Sequence, residues 1–318
     1  MQRMNSETTP SITVLICAYT ENRWDELVRS IQSIRDQHLK PLEIILVIDH
    51  NDKLYQHACR EFPDVQVVEN NNEQGLSGAR NSGIPLAKGD ILAFIDEDAV
   101  AAPDWLSTLM LAYKNPDVIG AGGLIRPAWV DQKPGWFPEE FNWVVGCTYK
   151  GVPEKTASIR NMIGCNMSFR REAFEKVGGF RANMGRIGTI PLGCEETEFC
   201  IRLKQYWPNG SFIYEPQAKV NHRVPANRAR FSYFRARCYA EGLSKALVSQ
   251  FVGAGDGLSS ERTYTFQTLP EGVLRGLADF FRGDWPGLGR AAAIISGLAI
   301  TTIGYLIGLA TQPRIHLS

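Results

Sequence analysis

The apolar positions in the first hundred residues fall in short continuous runs separated by stretches with helical spacing. Ile12–Cys17, Leu42–Ile48 and Ile91–Ile95 are too short for buried helices and long enough for strands covered on both faces. Val65–Val68 is a shorter fourth run. Between them, Trp24–Gln37 sets Leu27, Ile31 and Ile34 on one helix face, and Lys53–Phe62 reads as a short helix. Leu76–Leu86 reads as another helix, which Pro85 should end or kink, and Pro103–Tyr113 as one opened by proline near its first turn. Strands alternating with helices of this length predict βαβ units and a parallel sheet.

After Gly122-Gly123 the pattern breaks. Residues 126–160 carry prolines at 127, 134, 138 and 153 and tryptophans at 129, 136 and 143, which predicts an irregular, aromatic-rich excursion across the sheet's edge. Regularity returns with Ile163–Phe169, Arg171–Val177 and a helix over Glu195–Trp207. Phe212–Tyr214 and Ala218–His222 read as short strands, Arg228–Gln250 as a long helix, and Gly253–Arg262 as a polar segment. From Ala291 to Gln312 no charged residue occurs, and about twenty such residues match the thickness of a bilayer core. Gly304 and Gly308 form a GxxxG pattern suited to close helix contact. The expectation is membrane contact through residues 286–312, as a span or lying on the surface; packing against the protein's own body is the alternative. The organisation expected is an N-terminal tail over 1–10, a catalytic domain over 11–250 and a helical, membrane-associating region over 251–318.

Composition narrows the class. With 318 residues, 44% of them hydrophobic, and 17 prolines, the chain reads as an ordinary globular protein. The 34 basic and 34 acidic residues cancel, and no dense basic stripe appears, so no nucleic-acid partner is expected. The seven cysteines (17, 59, 147, 165, 194, 200 and 238) form no CxxC pair, which argues against a zinc site or a disulfide framework and for a reducing compartment. The first apolar stretch is short and follows polar residues, so no signal peptide is expected. These features together predict a location at the cytoplasmic face of the cell membrane.

The chemistry starts where the Ile91–Ile95 run ends, in Asp96-Glu97-Asp98. Unpaired charges do not stay in a core, so these acids emerge at the strand's carboxyl end, where open α/β sheets bind ligands. A hard divalent cation bridging to phosphate oxygens suits them; a solvated acidic turn is the plain alternative. Asp49 ends the second strand and reaches the same edge. Neither GxGxxG after the first strand nor GxxxxGK[ST] is present, which disfavours dehydrogenases and P-loop enzymes. A second acidic cluster, Glu195-Glu196-Thr197-Glu198, opens a helix. Adjacent carboxylates repel, and a raised pKa suits a general base; a favourable helix dipole explains the same acids without catalysis.

In order, Ser11–Tyr19, Glu43–Asp49, Gly75–Gly83, Asp90–Asp98, Gly164–Arg170 and Glu195–Leu203 resemble the motifs of family 2 glycosyltransferases of the GT-A fold. The resemblance implies a mostly parallel α/β sheet flanked by helices, followed here by a C-terminal hydrophobic helical tail. It implies that Asp98 binds the metal, Mg2+ or Mn2+, and that Asp96 approaches the ribose or the metal's water shell. Asp49 would accept the ring N–H of uracil, although Ile48-Asp49-His50-Asn51 keeps only one of the family's two adjacent aspartates. Ala18, Tyr19 and Glu21 stand where the base pocket is lined, and Arg80 where nucleotide or phosphates are contacted. Glu196 takes the place of the general base, with Glu195 beside it, and His222 that of a metal-ligand histidine. Arg223, Arg228 and Arg230 could hold a diphosphate or anionic headgroups, or form a solvated helix face. The tail and Gly164-Cys165-Asn166-Met167 also look similar to envelope-polysaccharide and lipid-linked oligosaccharide enzymes, dolichyl-phosphate glucuronosyltransferases among them. The function expected is metal-dependent, inverting transfer of a sugar (hexosyl or glucuronosyl) from a nucleotide-diphospho-sugar, with UDP the nearest match. The acceptor expected is a hydroxyl or phosphate of a lipid-linked or polysaccharide molecule in envelope glycan or glycoconjugate synthesis. A nucleotidyltransferase of related architecture and a non-catalytic sugar-binding protein are the alternatives.

Overall fold

Four of the apolar runs form the parallel strands β1 (Ile12–Ala18), β2 (Glu43–Ile48), β3 (Gln66–Glu69) and β4 (Ile91–Asp96) in a computed structural model that describes residues 10–182, 184–185, 192–253 and 261–311. β1 lies between β2 and β4, and β3 extends the sheet beyond β2. The crossovers are α1 (Trp24–Arg35), α2 (Asp52–Glu61) and α3 (Leu76–Gly83). Pro85, with no N–H to donate, ends α3, and Ile84–Leu86 finish it as a single 3-10 turn. A Cβ on Gly83 would lie 2.6 Å from Leu15 Cδ1 and 2.8 Å from Val47 Cγ2, so α3 rests directly on β1 and β2.

The chain continues through β5 (Ala99–Ala101), α4 (Trp105–Ala112), β6 (Val118–Trp129), β7 (Ala157–Ile159), β8 (Asn166–Arg170), α5 (Arg171–Val177) and α6 (Glu195–Tyr206). It ends with β9 (Ser211–Val224), α7 (Phe231–Val252), α8 (Leu269–Phe281) and α9 (Pro286–Thr311). Among the described residues the sheet order is β3-β2-β1-β4-β8-β6-β9-β5, with β7 also on β9. The first half is parallel as predicted; β8 runs antiparallel to both β4 and β6, while β6 and β9 are parallel. The pattern break expected after Gly123 is not the end of a strand, because Leu124–Trp129 pair with Lys219–Val224. Likewise the two short strands read at 212–222 are one, with an irregularity where Gly123/Glu215 steps to Leu124/Lys219. Pairing between distant segments satisfies these backbones, which local propensity does not reveal.

Each face of the sheet carries its own core. Leu27, Ile31, Leu54, Trp105 and Leu109 cover Val14, Ile16, Leu46 and Ile95 on one side. Phe94, Phe169, Phe174, Phe180, Phe199 and Phe212 cover Leu15, Ile45 and Val47 on the other. Asn166 is buried without penalty because its carboxamide accepts from Trp105 Nε1 at 2.8 Å and donates to the Ala218 carbonyl at 2.9 Å.

The C-terminal helices pack on the sheet-bearing body. A Cβ on Gly242 of α7 would sit 2.2 Å from the Thr301 carbonyl oxygen, and one on Gly304 of α9 2.3 Å from that of Tyr239. The two helices therefore meet backbone to backbone, which only glycine allows. Leu269, Ala293 and Ile294 share a core with Phe141 and Phe234. The boundary expected at residue 250 falls within α7. α9 is long and apolar enough to cross a membrane, with mean hydropathy 1.9, yet its outer residues Ile295, Ile303, Leu306 and Leu309 are exposed beside Leu274, Phe281 and Trp285. Of the segments expected from the sequence, residues 1–9, 183, 186–191, 254–260 and 312–318 lie outside the described residues.

Candidate active site

Three parallel strands end side by side. Ala18 of β1 is level with Ile48 of β2, and Cys17 with Asp96 of β4. A cavity of about 1030 Å³, counting space open to solvent, lies over these ends. Ala18, Tyr19, Asp49, Arg80, Asp96, Asp98, Glu195, Glu196 and His222 all border it. Glu21 does not. It is exposed on the 3-10 turn Glu21–Arg23, and Arg23 turns into the cavity in its place. Two non-glycine residues hold left-handed backbones here, His50 at φ 51° and Cys194 at φ 72°, and each adjoins a predicted site acid. Such strain concentrates at functional sites.

The acids that end β4 are not equivalent. Asp98 is buried and surrounded by cations: His222 Nε2 at 3.2 Å, Arg23 Nη1 at 3.1 Å and Arg228 Nη2 at 4.0 Å. Burial alone would raise its pKa, but His222, then Arg228 and Arg23, hold it well below the carboxylate range. Burial would lower the His222 imidazole, yet Asp98 beside it and the Cys147 thiol push it up to about 10. His222 reaches this place because β9 pairs it with Ala99, one residue after Asp98. Glu97 hydrogen-bonds Arg23 at 2.7 Å, while burial and Asp98 push it up to about 7.

Arg80 joins the two acidic clusters. Its guanidinium is buried, 2.8 Å from Glu195 and 3.8 Å from Asp96, and lies over the Phe180 ring. Glu195, also buried, is thereby compensated. Its neighbour Glu196 has no ion pair among the described residues, and burial together with Glu195 pushes it up to about 8. Glu198 is fully buried between Arg181 at 2.7 Å and Arg202 at 2.9 Å, so it braces α6 rather than facing the cavity. Asp49 is also engaged. Its Oδ1 accepts from Asn70 at 2.7 Å and faces His50 Nδ1 at 2.9 Å, and its Oδ2 accepts from the Gly75 N–H at 3.0 Å. One acceptor position on Oδ2 is left for a ligand.

Among the arginines singled out near β9, Arg228 alone enters the cavity. Arg223 pairs with Glu26 at 3.0 Å, and Arg230 is exposed. Arg23, Cys165 and Arg237 border the cavity and were not singled out. Arg23 sits in a mixed polar turn with no periodic signal, and Arg237 lies in a long helix where a cation is unremarkable. Cys165 falls within the Gly164–Arg170 motif and was readable only as a small core residue.

The donor set suits a divalent cation. Single ligand atoms of Asp96, Cys165 and His222 lie within 4.8 Å of one another, and Asp98 Oδ1 is 3.2 Å from His222 Nε2. Carboxylate oxygens and an imidazole are donors that a divalent cation accepts.

Residues 13–178 match the model of glycosyl transferase family 2. A glucosyl-dolichyl phosphate glucuronosyltransferase from Haloferax volcanii is 37% identical over 242 residues, 74% of this chain and 77% of that protein. The succinoglycan biosynthesis protein ExoM of Rhizobium meliloti is 25% identical over 240 residues, 74% of each. The mannosyltransferase PcManGT from Pyrobaculum calidifontis, solved with GDP-Man and Mn2+, has a TM-score of 0.58 over 93% of this chain and 88% of that one, at 16% identity, a likeness of fold.

Proposed function

The chain belongs to glycosyl transferase family 2, and on that premise we propose that it is a metal-dependent, inverting transferase moving a sugar from a nucleoside-diphosphate donor to a hydroxyl of a lipid-linked glycan. It is an enzyme of glycosyltransferase type, so the nucleotidyltransferase and sugar-binding alternatives fall away. The observation that carries the mechanism is that Asp98 and Glu196, nearly a hundred residues apart, border one cavity with Arg80 linking their clusters.

Direct displacement needs a base on one side of the sugar and charge stabilisation on the other. Glu196 takes the acceptor proton as the new bond to the anomeric carbon forms. The bond to the diphosphate breaks, and its electron pair leaves with the nucleotide. Arg23 and Arg228, beside Asp98, bring positive charge to the leaving-group side. A divalent cation held by Asp98 and His222, with Asp96 alongside, would supply further charge against the departing diphosphate. Ala18, Tyr19 and Asp49 border the cavity; the first two would line the base pocket, and the acceptor position left on Asp49 Oδ2 would take a uracil N–H, which supports a UDP-sugar donor.

The name of the Haloferax relative specifies a glucosyl-dolichyl phosphate acceptor and a glucuronosyl donor group. We assign this chain an acceptor of the same class, a polyprenyl-phosphate-linked sugar, and a hexosyl or hexuronosyl donor. Residues 11–250 form the catalytic unit in this reading. The exposed apolar face of α8 and α9 rests on the cytoplasmic face of a membrane. A screen of nucleotide sugars with Mn2+ and Mg2+ tests the reading. Release of nucleoside diphosphate that depends on Asp98 and Glu196 is the expected result; release of pyrophosphate, or of nothing from any nucleotide sugar, would refute it.

A further inference from the structure

A second cavity, of about 1270 Å³ counting space open to solvent, begins where the first ends. Trp143, Ile163, Cys194, Glu196 and Arg237 border both. Its far wall is α9, through Leu298, Thr301, Thr302 and Tyr305. Glu196 therefore stands at the junction, with the β4 acids on one side and the apolar C-terminal helix on the other.

The second cavity has its own chemistry. Arg237, Glu241 and Lys245 occupy successive turns of one face of α7, a run of roughly 12 Å. Glu241 is 2.8 Å from Arg237 and 3.5 Å from Lys245. Arg160 and Glu196 also border the cavity, so its lining holds three cations and two carboxylates among aromatic, apolar and threonine side chains. Arg237 borders both cavities and Lys245 only the second, so the charge extends away from Glu196. The aromatic wall is fixed: Trp143 Nε1 donates to Tyr264 Oη at 2.9 Å, and Tyr264 Oη donates to the Glu140 carbonyl at 2.7 Å. Planar rings in set orientations suit the apolar face of a sugar. Beyond the rim at Thr302 and Tyr305, the exposed side of α9 continues as Ile303, Leu306 and Leu309.

Glu196, Trp143 and Arg237 stand together at the junction, while Tyr264, Lys245 and the face of α9 border the second cavity and not the first. We propose that this cavity is the acceptor subsite for a sugar carried on a polyprenyl phosphodiester. The sugar lies against Trp143 and Tyr264 with a hydroxyl at Glu196, the phosphodiester meets Arg237 and Lys245, and the hydrocarbon leaves over α9 into the membrane. The negative charge of a phosphodiester complements a lining in which Arg160, Arg237 and Lys245 outnumber Glu196 and Glu241. This rests on the reading of Glu196 as the acceptor-side base, and it adds the residues that recognise the linkage.

The test is binding of the full-length protein to phosphatidylcholine vesicles, plain or doped with polyprenyl-phosphate-linked glucose. Parallel arms use phosphatidylglycerol at equal charge and free inorganic phosphate as competitor. The dopant is expected to tighten binding by wild type, and Lys245→Gln to remove about tenfold of that gain, with Lys245→Arg restoring it. Unchanged donor binding by Lys245→Gln shows that the variant is folded. An equal gain from phosphatidylglycerol, or a gain that Lys245→Gln retains, would overturn the subsite. Competition by inorganic phosphate without any gain from the lipid-linked sugar would assign the cations to free phosphate and also overturn it. Glu196→Gln separates the two claims: it should keep the binding gain while losing turnover, and turnover that survives sinks the base assignment instead.

Discussion

Replacing Glu196 by Gln keeps the shape of the side chain and removes its capacity to take a proton. A positioned general base contributes about 10²- to 10⁴-fold, so kcat should fall by that factor, roughly 3–5 kcal/mol of barrier. Donor KM should not move, because the hydrogen bonds that position Asp49 come from Asn70 and the Gly75 N–H and not from Glu196. The pH profile carries the sharper signature. Burial and Glu195 push Glu196 up to about 8. At pH 7 only about a tenth of the free enzyme then has this base ionised, so wild-type kcat/KM should climb about tenfold towards pH 9 and level off. The Gln variant should be flat across the same window. Stability has the opposite slope. A carboxyl that binds its proton more tightly when folded makes its full contribution below its unfolded value of 4.5, and this is lost as pH rises through about 8. The Gln variant should lose that decline. The assay is nucleoside diphosphate release with saturating polyprenyl-phosphate-linked acceptor, alongside urea melts at several pH values. A variant within about threefold of wild type, or one that retains the alkaline rise, would refute the assignment.

Further outcomes follow from the neighbouring geometry. Asp98→Asn and His222→Ala should each weaken Mn2+ binding, read by electron paramagnetic resonance of the free ion, by about tenfold or more; unchanged affinity in both removes them as ligands. Arg80→Met strands Glu195 and Asp96 without their buried cation and should cost about 3–5 kcal/mol in a urea melt, with Glu195→Leu in the same chain recovering much of it. A loss below about 1 kcal/mol would show that the network is not structural. Gly304→Leu drives a side chain into the Tyr239 carbonyl and should lower stability by about 1–3 kcal/mol. Ile303→Ser, on the exposed side of the same helix, should cost under about 0.5 kcal/mol while weakening attachment to vesicles.

The parts of this molecule that could be read from the chain are those in which one local feature forces one outcome. The run Ile91–Ile95 is the right length for one buried strand, its three following acids belong outside a core, and Asp96 and Asp98 stand at the carboxyl end of β4. Pro85 ends α3 for a reason internal to proline. The parts that escaped depend on partners distant in sequence. β6 runs to Trp129 because β9 lies beside it, and nothing in residues 124–129 announces that partner. Glu195 and Glu196 look alike in sequence; Arg80, 115 residues away, pairs with the first, while burial and that first carboxylate push the second up. Arg23 enters the site and Glu21 does not because a single 3-10 turn separates their directions, a choice no composition or periodicity encodes.

The glycine-to-glycine contact between α7 and α9 has a consequence for distance. An anchor on a slack leash lets an enzyme roam at any height above the surface it is tied to. Here the apolar helix is clamped to the helix that carries Arg237 and Lys245, so with α9 seated on lipid the reaction centre stands at a fixed elevation. On the proposed membrane seating, a glycan whose next hydroxyl lay one sugar too near or too far from the bilayer would miss the base, so height would select chain length in addition to the contacts at Trp143 and Tyr264.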